Sequence, residues 1–352
     1  MPSSTSSFDQ LGSHRFQPHW LAEWLFAIGL LGVFILVAEI ALRADGFMAS
    51  APDDQQLWAF ARSQVYGHQP RDVIVLVGAS RIRLGIDTEV LRREMPGVSI
   101  VQLALNGTSP YSVFRDLATD QRFSGVVVYD LMERYERPQL ANEAQPWVDY
   151  YRNHLSPNTR IAMLLRNLYL GRLVVLSPQF DPKNIVRDFV QHGNLPTPYF
   201  IQYRQDRSGI ARPELMKETY DLQHQANDYE TGLQEALAET PSEDWLRFHA
   251  EIERLAAILR ARGGETIFLR MPSSGRLWQL DEEYFPKARF WDRIAATTSA
   301  RAIHFASLPE VGTWMLYDES HLDSTQAVKF TRTLVQKLRK FGVMPATRAS
   351  LP

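Results

Sequence analysis

Apolar runs alternate with amphipathic segments along most of the chain. Val73–Val77 (VIVLV) is an uninterrupted, largely β-branched run, which is typical of a central strand in a parallel sheet. Similar runs follow at Val98–Leu105, Gly125–Tyr129, Thr266–Met271 and Ala302–Phe305. Segments with helical spacing separate them, at Asp87–Arg93, Tyr111–Gln121, Glu243–Arg262 and Ser324–Lys340. This alternation predicts an α/β fold of flavodoxin-like type, a three-layer parallel sheet flanked by helices.

The alternation stops between about residues 137 and 241. This stretch contains helical pieces at Trp147–Arg152 and Arg160–Leu170, and a hairpin pattern that turns near Ser208-Gly209. We interpret it as a mainly helical insertion that forms a cap or a partner surface over the sheet edge. Three of its aromatic side chains either stack on sugars or belong to the core: Trp147, Tyr150 and Tyr151.

The most apolar stretch is Trp20–Leu42, which is long enough to span a bilayer with some tilt. Its only charged residues, Glu23 and Glu39, lie near its two ends. Trp20 fits an interfacial aromatic anchor. The alternatives are a buried core helix and a signal sequence cleaved near Met48–Ala51. We expect an uncleaved, single-pass anchor.

These patterns divide the chain into four segments. Residues 1–19 are expected to form a Ser-rich, disordered cytoplasmic tail, residues 20–43 a transmembrane anchor and residues 44–70 a helical linker. Residues 71–345 form the α/β domain. We predict that the chain lies in the inner (cytoplasmic) membrane with this domain on the periplasmic, extracytoplasmic side. The basic residues that flank the span, Arg15 and Arg43, barely discriminate between the two orientations.

Composition narrows the classes of function. Hydrophobic residues make up 45% of the chain and charged residues 22%, as in an ordinary folded protein. The net charge of −2 argues against a general nucleic-acid binder, so no nucleic-acid partner is expected. The chain has no cysteine, which excludes disulfides and thiolate metal sites.

Ser80 follows the first predicted strand. Ligands of an open parallel sheet collect at the carboxyl ends of its strands, and Gly78 allows a sharp turn that presents the serine there. Gly and Ser in such a position also occur as ordinary turn and cap residues, so the serine alone indicates little.

Asp318 and His321 lie three positions apart, directly before the last predicted helix. A nucleophilic serine needs a base within hydrogen-bond reach, and that base needs a carboxylate that fixes its tautomer. The two residues can supply both functions if this turn lies near the end of Val73–Val77. The alternative is that the polar residues here only cap the helix.

These stretches resemble blocks of the SGNH/GDSL hydrolase superfamily. Gly78-Ala79-Ser80 is similar to the first block, with Ala79 in place of the usual aspartate, and Asp318-Glu319-Ser320-His321 matches the last. Asn106-Gly107-Thr108 after the second strand resembles the glycine block, which implies that the Gly107 amide is an oxyanion donor beside that of Ser80. The third block, Gly-x-Asn-Asp, is missing, because Tyr129–Glu133 (YDLME) stands in its place. Asn106 is a candidate for the missing amide side chain.

The anchor, the insertion and the altered first block are similar to the branch that includes the alginate O-acetylation proteins and the teichoic-acid D-alanylation protein. That resemblance implies a serine O-acyltransferase or acyl esterase acting on an exported or cell-envelope polysaccharide or another acylated glycan. Ser80 would be the nucleophile, His321 the general base and Asp318 its orienting carboxylate, with no cofactor and no metal. A transferase would also need a multi-pass membrane protein that delivers the acyl donor.

Two points stay open. Arg81, with Arg83, could bind an anionic polymer, or Arg81 could pair with a carboxylate inside the fold. The activity could instead be that of a general lipase or thioesterase, and the chain could be a non-catalytic subunit of a polysaccharide modification or export complex.

Overall fold

The computed structural model describes residues 19–67, 71–169, 171–193, 196–216 and 221–343. The expected disordered tail, apart from residue 19, therefore lies outside the described residues, as do the last two residues assigned to the α/β domain. The strands are β1 (Val73–Val77), β2 (Ser99–Gln102), β3 (Val126–Asp130), β4 (Ile201–Tyr203), β5 (Gly209–Ala211), β6 (Glu265–Arg270) and β7 (Arg301–His304). The helices are α1 (His19–Ala44), α2 (Gln55–Ser63), α3 (Ser80–Gly85), α4 (Thr88–Glu94), α5 (Tyr111–Thr119), α6 (Gln145–His154), α7 (Pro157–Tyr169), α8 (Pro182–His192), α9 (Leu222–Glu239), α10 (Ser242–Ala261), α11 (Gly275–Tyr284), α12 (Trp291–Thr297) and α13 (Ser324–Lys340).

Five strands form one parallel sheet in the order β2-β1-β3-β6-β7. Strand β1 therefore lies between β2 and β3, and the chain reverses its direction of travel across the sheet at this point. The predicted α/β class, with a parallel sheet flanked by helices, is confirmed. Each predicted strand of this sheet is present, and the largest difference is that β2 ends at Gln102 rather than Leu105.

The sheet separates two hydrophobic cores, because successive side chains of a strand point to opposite faces. In β1, Val73, Val75 and Val77 face the core that α2, α5 and α10 cover, whereas Ile74 and Leu76 face the core that α3, α4 and α13 cover. All five side chains are buried. Burial on both faces explains why the strand is a continuous apolar run rather than an alternating one.

Helix α2 belongs to the first core, although it falls in the segment expected to be a linker. Trp58 is fully buried, and its indole N–H donates to the Leu103 carbonyl oxygen at 3.0 Å. Arg62 donates from Nε to Asp116 Oδ2 at 2.7 Å, with both side chains almost fully buried. Removing one partner of such a pair costs about 3 kcal/mol or more, so this contact fixes α2 to α5.

The segment between β3 and α10 holds α6 to α9 and the antiparallel hairpin β4–β5. The hairpin turn covers Arg204–Ser208, slightly earlier than the sequence indicates, and Arg207 has φ 69° there. Of the three aromatic residues considered for sugar stacking, Tyr151 is buried in the first core. Trp147 packs against that core, with its ring centroid 6.4 Å from that of Trp58.

Helix α1 is the one helix among the described residues that is long and apolar enough to cross a membrane, over Trp20–Ala44. Only 6% of its apolar window is buried by the rest of the chain. The alternative of a buried core helix therefore does not fit.

Candidate active site

Ser80 is the first residue of α3, at the carboxyl end of β1. Gly78 makes the preceding turn possible, because a Cβ atom there would lie 2.5 Å from Asp130 Cβ and 2.6 Å from Ile82 Cγ2. Strand β1 has its neighbours β2 and β3 on opposite sides, which is the place where open parallel sheets bind ligands. The Ser80 hydroxyl therefore lies at the switch point of the sheet, where the strand order reverses between β2 and β3.

His321, 241 residues further along the chain, meets Ser80 at this edge, and Asp318 contacts His321. His321 Nε2 lies 2.8 Å from Ser80 Oγ, and His321 Nδ1 lies 2.7 Å from Asp318 Oδ2. Because an ionised carboxylate can only accept, Asp318 selects the tautomer with a proton on Nδ1, and Nε2 is then free to accept the serine proton. The three residues singled out in the sequence therefore form one continuous hydrogen-bonded chain.

Asp318 is oriented by the backbone of its own turn. Its Oδ1 accepts from the amide of Ser320 at 3.0 Å and from that of His321 at 2.7 Å. Burial alone would raise the pKa of the Asp318 carboxyl, but the hydrogen bonds from His321 and these amides outweigh it and hold the pKa below its ordinary value. The carboxylate is thus ionised at neutral pH, as an orienting partner for imidazole must be.

Glu319 braces the same turn in a left-handed conformation, with φ 59°. Its carboxylate Oε2 accepts from the Leu277 amide at 3.1 Å, in the first turn of α11, and its carbonyl accepts from the Ser274 amide at 3.0 Å. Anionic groups are stabilised at a helix N-terminus, so α11 holds Glu319, which directly follows Asp318, in place.

Arg81, considered above for substrate binding, is buried instead at 2% exposure. Its Nε donates to Ser320 Oγ at 3.1 Å, its Nη2 donates to Tyr229 OH at 3.3 Å, and its Nη1 lies 4.0 Å from Asp281 Oδ2. This arrangement is the internal carboxylate pairing that the sequence left open. Arg83 is also buried, and it donates to Asp53 Oδ2 at 2.6 Å and to the Arg207 carbonyl at 2.9 Å. Neither guanidinium is exposed to a polymer.

Asn106 and Gly107 lie beside the β1–α3 turn, because the preceding amide of Leu105 donates to the Gly78 carbonyl at 3.0 Å. Both residues are exposed, and Gly107 has φ 69° with open space where a Cβ atom would be. The Asn106 side chain donates to Tyr203 OH at 2.6 Å. The amide side chain considered as a substitute for the third block is thus engaged with the hairpin.

Several buried charged residues at this edge were not predicted from the sequence. Arg270, the last residue of β6, donates to Glu133 Oε2 at 2.9 Å and to Asp281 Oδ2 at 2.6 Å. Asp281 also accepts from Tyr229 OH at 2.6 Å, and the charges of Arg270 and Arg81 and its hydrogen bonds outweigh burial and lower the pKa of its carboxyl. The signal available was a charged residue directly after an apolar strand run, as in TIFLR and VVVYD.

Asp130, at the end of β3, is buried against the Gly78 position. Burial raises the pKa of its carboxyl to about 6, against the opposing charges of Arg270 and Arg81. Asp130 lies in Tyr129–Glu133, the segment that departs from the resemblance, so this position holds a titratable acid rather than an amide.

Among the described residues, no group of three or more His, Cys, Asp or Glu side chains could hold a metal ion. No family model matches the chain, and comparisons with curated proteins and with solved structures found no match.

The brace at Glu319 can be tested with Gly275→Ala. An added Cβ would lie 1.9 Å from Glu319 Oε1, so the carboxylate must leave the Leu277 amide and the Asp318–His321 turn loses its support. We expect the rate at which Ser80 reacts with a fluorophosphonate probe to fall roughly 10-fold to 100-fold, since small misplacements are costly in such arrangements. Gly97→Ala is the matched control, because Gly97 also has a positive φ but open space around it. Equal rates in the two variants would contradict the brace.

Asp130 predicts a pH-dependent stability. Its folded pKa of about 6 exceeds the ordinary 3.8, so its contribution to folding is fully present below pH 3.8 and is lost as the pH rises through about 6. Asp130→Asn removes this titration. We expect the unfolding free energy of the variant relative to wild type to rise by about 2 kcal/mol between pH 4 and pH 8. Chemical denaturation of the purified chain in detergent measures this, with Asp228→Asn, at an exposed side chain of α9, as the control. A variant that loses stability relative to wild type over this range would refute the assignment.

Proposed function

We propose that this protein is a membrane-anchored serine acyl esterase or O-acyltransferase of the SGNH type. Its proposed substrate is an exported or cell-envelope polysaccharide or another acylated glycan. The observation that carries the proposal is the hydrogen-bonded chain Ser80–His321–Asp318 at the switch point of a parallel sheet. The same three residue types in the same contacts activate serine for acyl transfer on several unrelated folds.

In the proposed first step, Ser80 Oγ attacks the acyl carbonyl carbon while His321 Nε2 takes the hydroxyl proton. The bond from the carbonyl carbon to the leaving oxygen then breaks, His321 returns the proton to that oxygen, and the acyl group remains on Ser80. In the second step a water or a glycan hydroxyl gives its proton to His321 and attacks the acyl carbon. The bond from that carbon to Ser80 Oγ then breaks, and His321 returns the proton to Oγ. Asp318 stabilises the imidazolium in both steps without becoming protonated.

The negative oxygen that forms in each step needs donors. Backbone amides of Ser80, at the start of α3, and of Gly107, in the exposed turn next to it, are the proposed oxyanion donors. Asn106 is the third candidate, and using it would require release of its hydrogen bond to Tyr203. A polymer can approach this turn from solvent, which supports a glycan over a deeply buried small substrate.

The mechanism predicts which substitutions abolish serine reactivity. Ser80→Ala should remove all fluorophosphonate labelling. Asp318→Asn should retain the backbone contacts of Oδ1 but present an NH₂ group to His321 Nδ1, and should lower the labelling rate by roughly 10³-fold to 10⁴-fold. Asp323→Asn, at the nearby cap of α13, is the control and should label like wild type.

Folded wild-type protein that does not label would favour the rival, a non-catalytic subunit of a polysaccharide modification or export complex. For a protein that does label, acetyl release into water compared with transfer to an oligosaccharide separates esterase from transferase. A transferase would draw its acyl donor from a multi-pass membrane protein, since α1 is the one candidate span among the described residues. A general lipase or thioesterase would instead prefer small or lipid acyl esters.

The proposed location is the cytoplasmic membrane, with α1 as the anchor and the α/β domain on the extracytoplasmic side. Alkaline phosphatase fused after Pro352 folds into an active enzyme only outside the cytoplasm, so the fusion should be active. Green fluorescent protein fused at the same position should not fluoresce in that orientation, because it does not fold when it is exported unfolded through the general secretory route. An inactive phosphatase with a bright fluorescent fusion would reverse the assignment.

A further inference from the structure

Exposed large apolar side chains are concentrated in one region outside α1. Among the described residues after α1, nine of the eleven exposed large apolar side chains lie between Ile161 and Tyr199. Eight of these form what we call the apolar shelf: Ile161, Leu164, Leu165 and Tyr169 of α7, Leu176, and Val186, Phe189 and Val190 of α8. Their exposed fractions run from 42% to 76%. Exposed apolar side chains in this number within one segment mark a site of interaction.

Helix α7 has two distinct faces. Ile161, Leu164 and Leu165, at positions i, i+3 and i+4, form one exposed apolar stripe. Met163 is buried, and Arg166 donates to Asp54 Oδ2 at 2.6 Å at the start of α2. One face of α7 is therefore fixed to the domain, and the other carries apolar side chains that the domain does not cover.

Helix α8 also carries an apolar stripe. Val186, Phe189 and Val190 have the same i, i+3, i+4 spacing and are exposed by 58% or more. Asn184, near the start of the helix, donates to the Pro178 carbonyl at 2.6 Å. Both helices thus present an apolar stripe outward, which is the pattern of helices that lie in a membrane interface.

The end of α1 is hydrogen-bonded to the connection between α7 and α8. Glu39 accepts from the amides of Val174 and Val175 at 2.9 Å and 3.2 Å. Arg43 donates to the Arg172 carbonyl at 2.8 Å. The connection that carries Leu176 of the shelf therefore lies beside the last turns of the helix that is apolar enough to cross a membrane.

Charge in this region complements a lipid surface. Besides Arg166, which is paired with Asp54, residues 157–193 carry four basic residues, Arg160, Arg172, Lys183 and Arg187, against the two acidic residues Asp181 and Asp188. Helix α7 contains no acidic residue. Basic residues around an apolar stripe favour binding to a bilayer with anionic headgroups.

We propose that α7 and α8 lie on the bilayer surface with the apolar shelf inserted among the lipids, as a second membrane contact beside α1. This inference rests on the membrane anchoring in the proposed function, and it adds a lipid-binding surface to it. The domain would then be held by a spanning helix and by two interfacial helices, and could not rotate freely about α1. Arg166 and Asp54 join α7 to the start of α2, which packs in the domain core. The orientation of the shelf on the bilayer would therefore fix the orientation of the domain.

The chain has no cysteine, so single cysteines can report on each surface of the full chain. We would attach an NBD fluorophore to Leu164→Cys and to Val190→Cys, and reconstitute each purified chain in liposomes of phosphatidylcholine and phosphatidylglycerol. Met315→Cys, at an apolar side chain that is 69% exposed, and Arg247→Cys are matched controls outside the shelf. Val33→Cys, within α1, reports insertion of the anchor.

The expected result is quenching by doxyl-labelled lipid at least threefold stronger at Leu164 and Val190 than at Arg247, with weaker quenching by aqueous iodide. Quenching by lipid at Val33 but not at the shelf would overturn the proposal and leave the anchor intact. No lipid quenching at Val33 would overturn both. Serine labelling by fluorophosphonate on the same samples is independent of these signals and reports only on the proposed catalysis.

Two other occupants of the shelf have distinct signatures. Shielding in native membranes that is lost in liposomes of the purified chain would assign the shelf to a partner protein and overturn the lipid proposal. A second copy would give energy transfer between differently labelled chains at Val190. If dilution with lipid abolished both this energy transfer and the shielding, the shelf would be assigned to a second copy. Shielding that persists at high dilution in lipid supports insertion into the bilayer.

Discussion

The buried guanidinium of Arg270 is the interaction on which the arrangement of the site depends. It joins β6 to Glu133, in the segment after β3, and to Asp281 in α11. Asp281 continues the network through Tyr229 of α9 to Arg81 of α3. A buried charge without its partner costs several kcal/mol, so these elements keep their positions together or lose them together.

Through Arg81, this network reaches both halves of the site. Arg81 follows Ser80 in α3 and donates to Ser320, which precedes His321. The contact links the serine turn to the histidine turn without either catalytic candidate taking part in it. Such support from neighbouring side chains is what holds reacting groups at hydrogen-bond distance before a substrate binds.

The strands of the sheet and the residues Ser80, Asp318 and His321 could be identified from the sequence, because both depend on strong local patterns. Buried parallel strands are continuous apolar runs, and an Asp and a His three residues apart on one irregular turn can meet the end of a neighbouring strand. The ion network was predictable only in part: the sequence places Arg270 at the end of an apolar strand run, but it does not show that Asp281 and Glu133 are its partners. Their burial becomes favourable only when residues far apart in the chain supply the opposite charges. For the same reason α2 was expected to be part of a linker. Its packing could not be predicted locally, because the partners of Trp58 and Arg62 lie more than forty residues further along the chain.

Asp53 gives the site a fixed place relative to the proposed membrane. It lies in the short connection between α1 and α2 and binds both Arg83, in the helix that Ser80 begins, and Arg207, in the hairpin turn. Under the proposed anchoring, these ion pairs would hold Ser80 at a constant distance from the membrane, whereas a domain on a flexible linker would sample many distances and orientations. Under the proposed function, the enzyme would then meet its polymer substrate in two dimensions. Its rate would depend on the number of polymer molecules per unit area of membrane, rather than on their concentration in the surrounding volume.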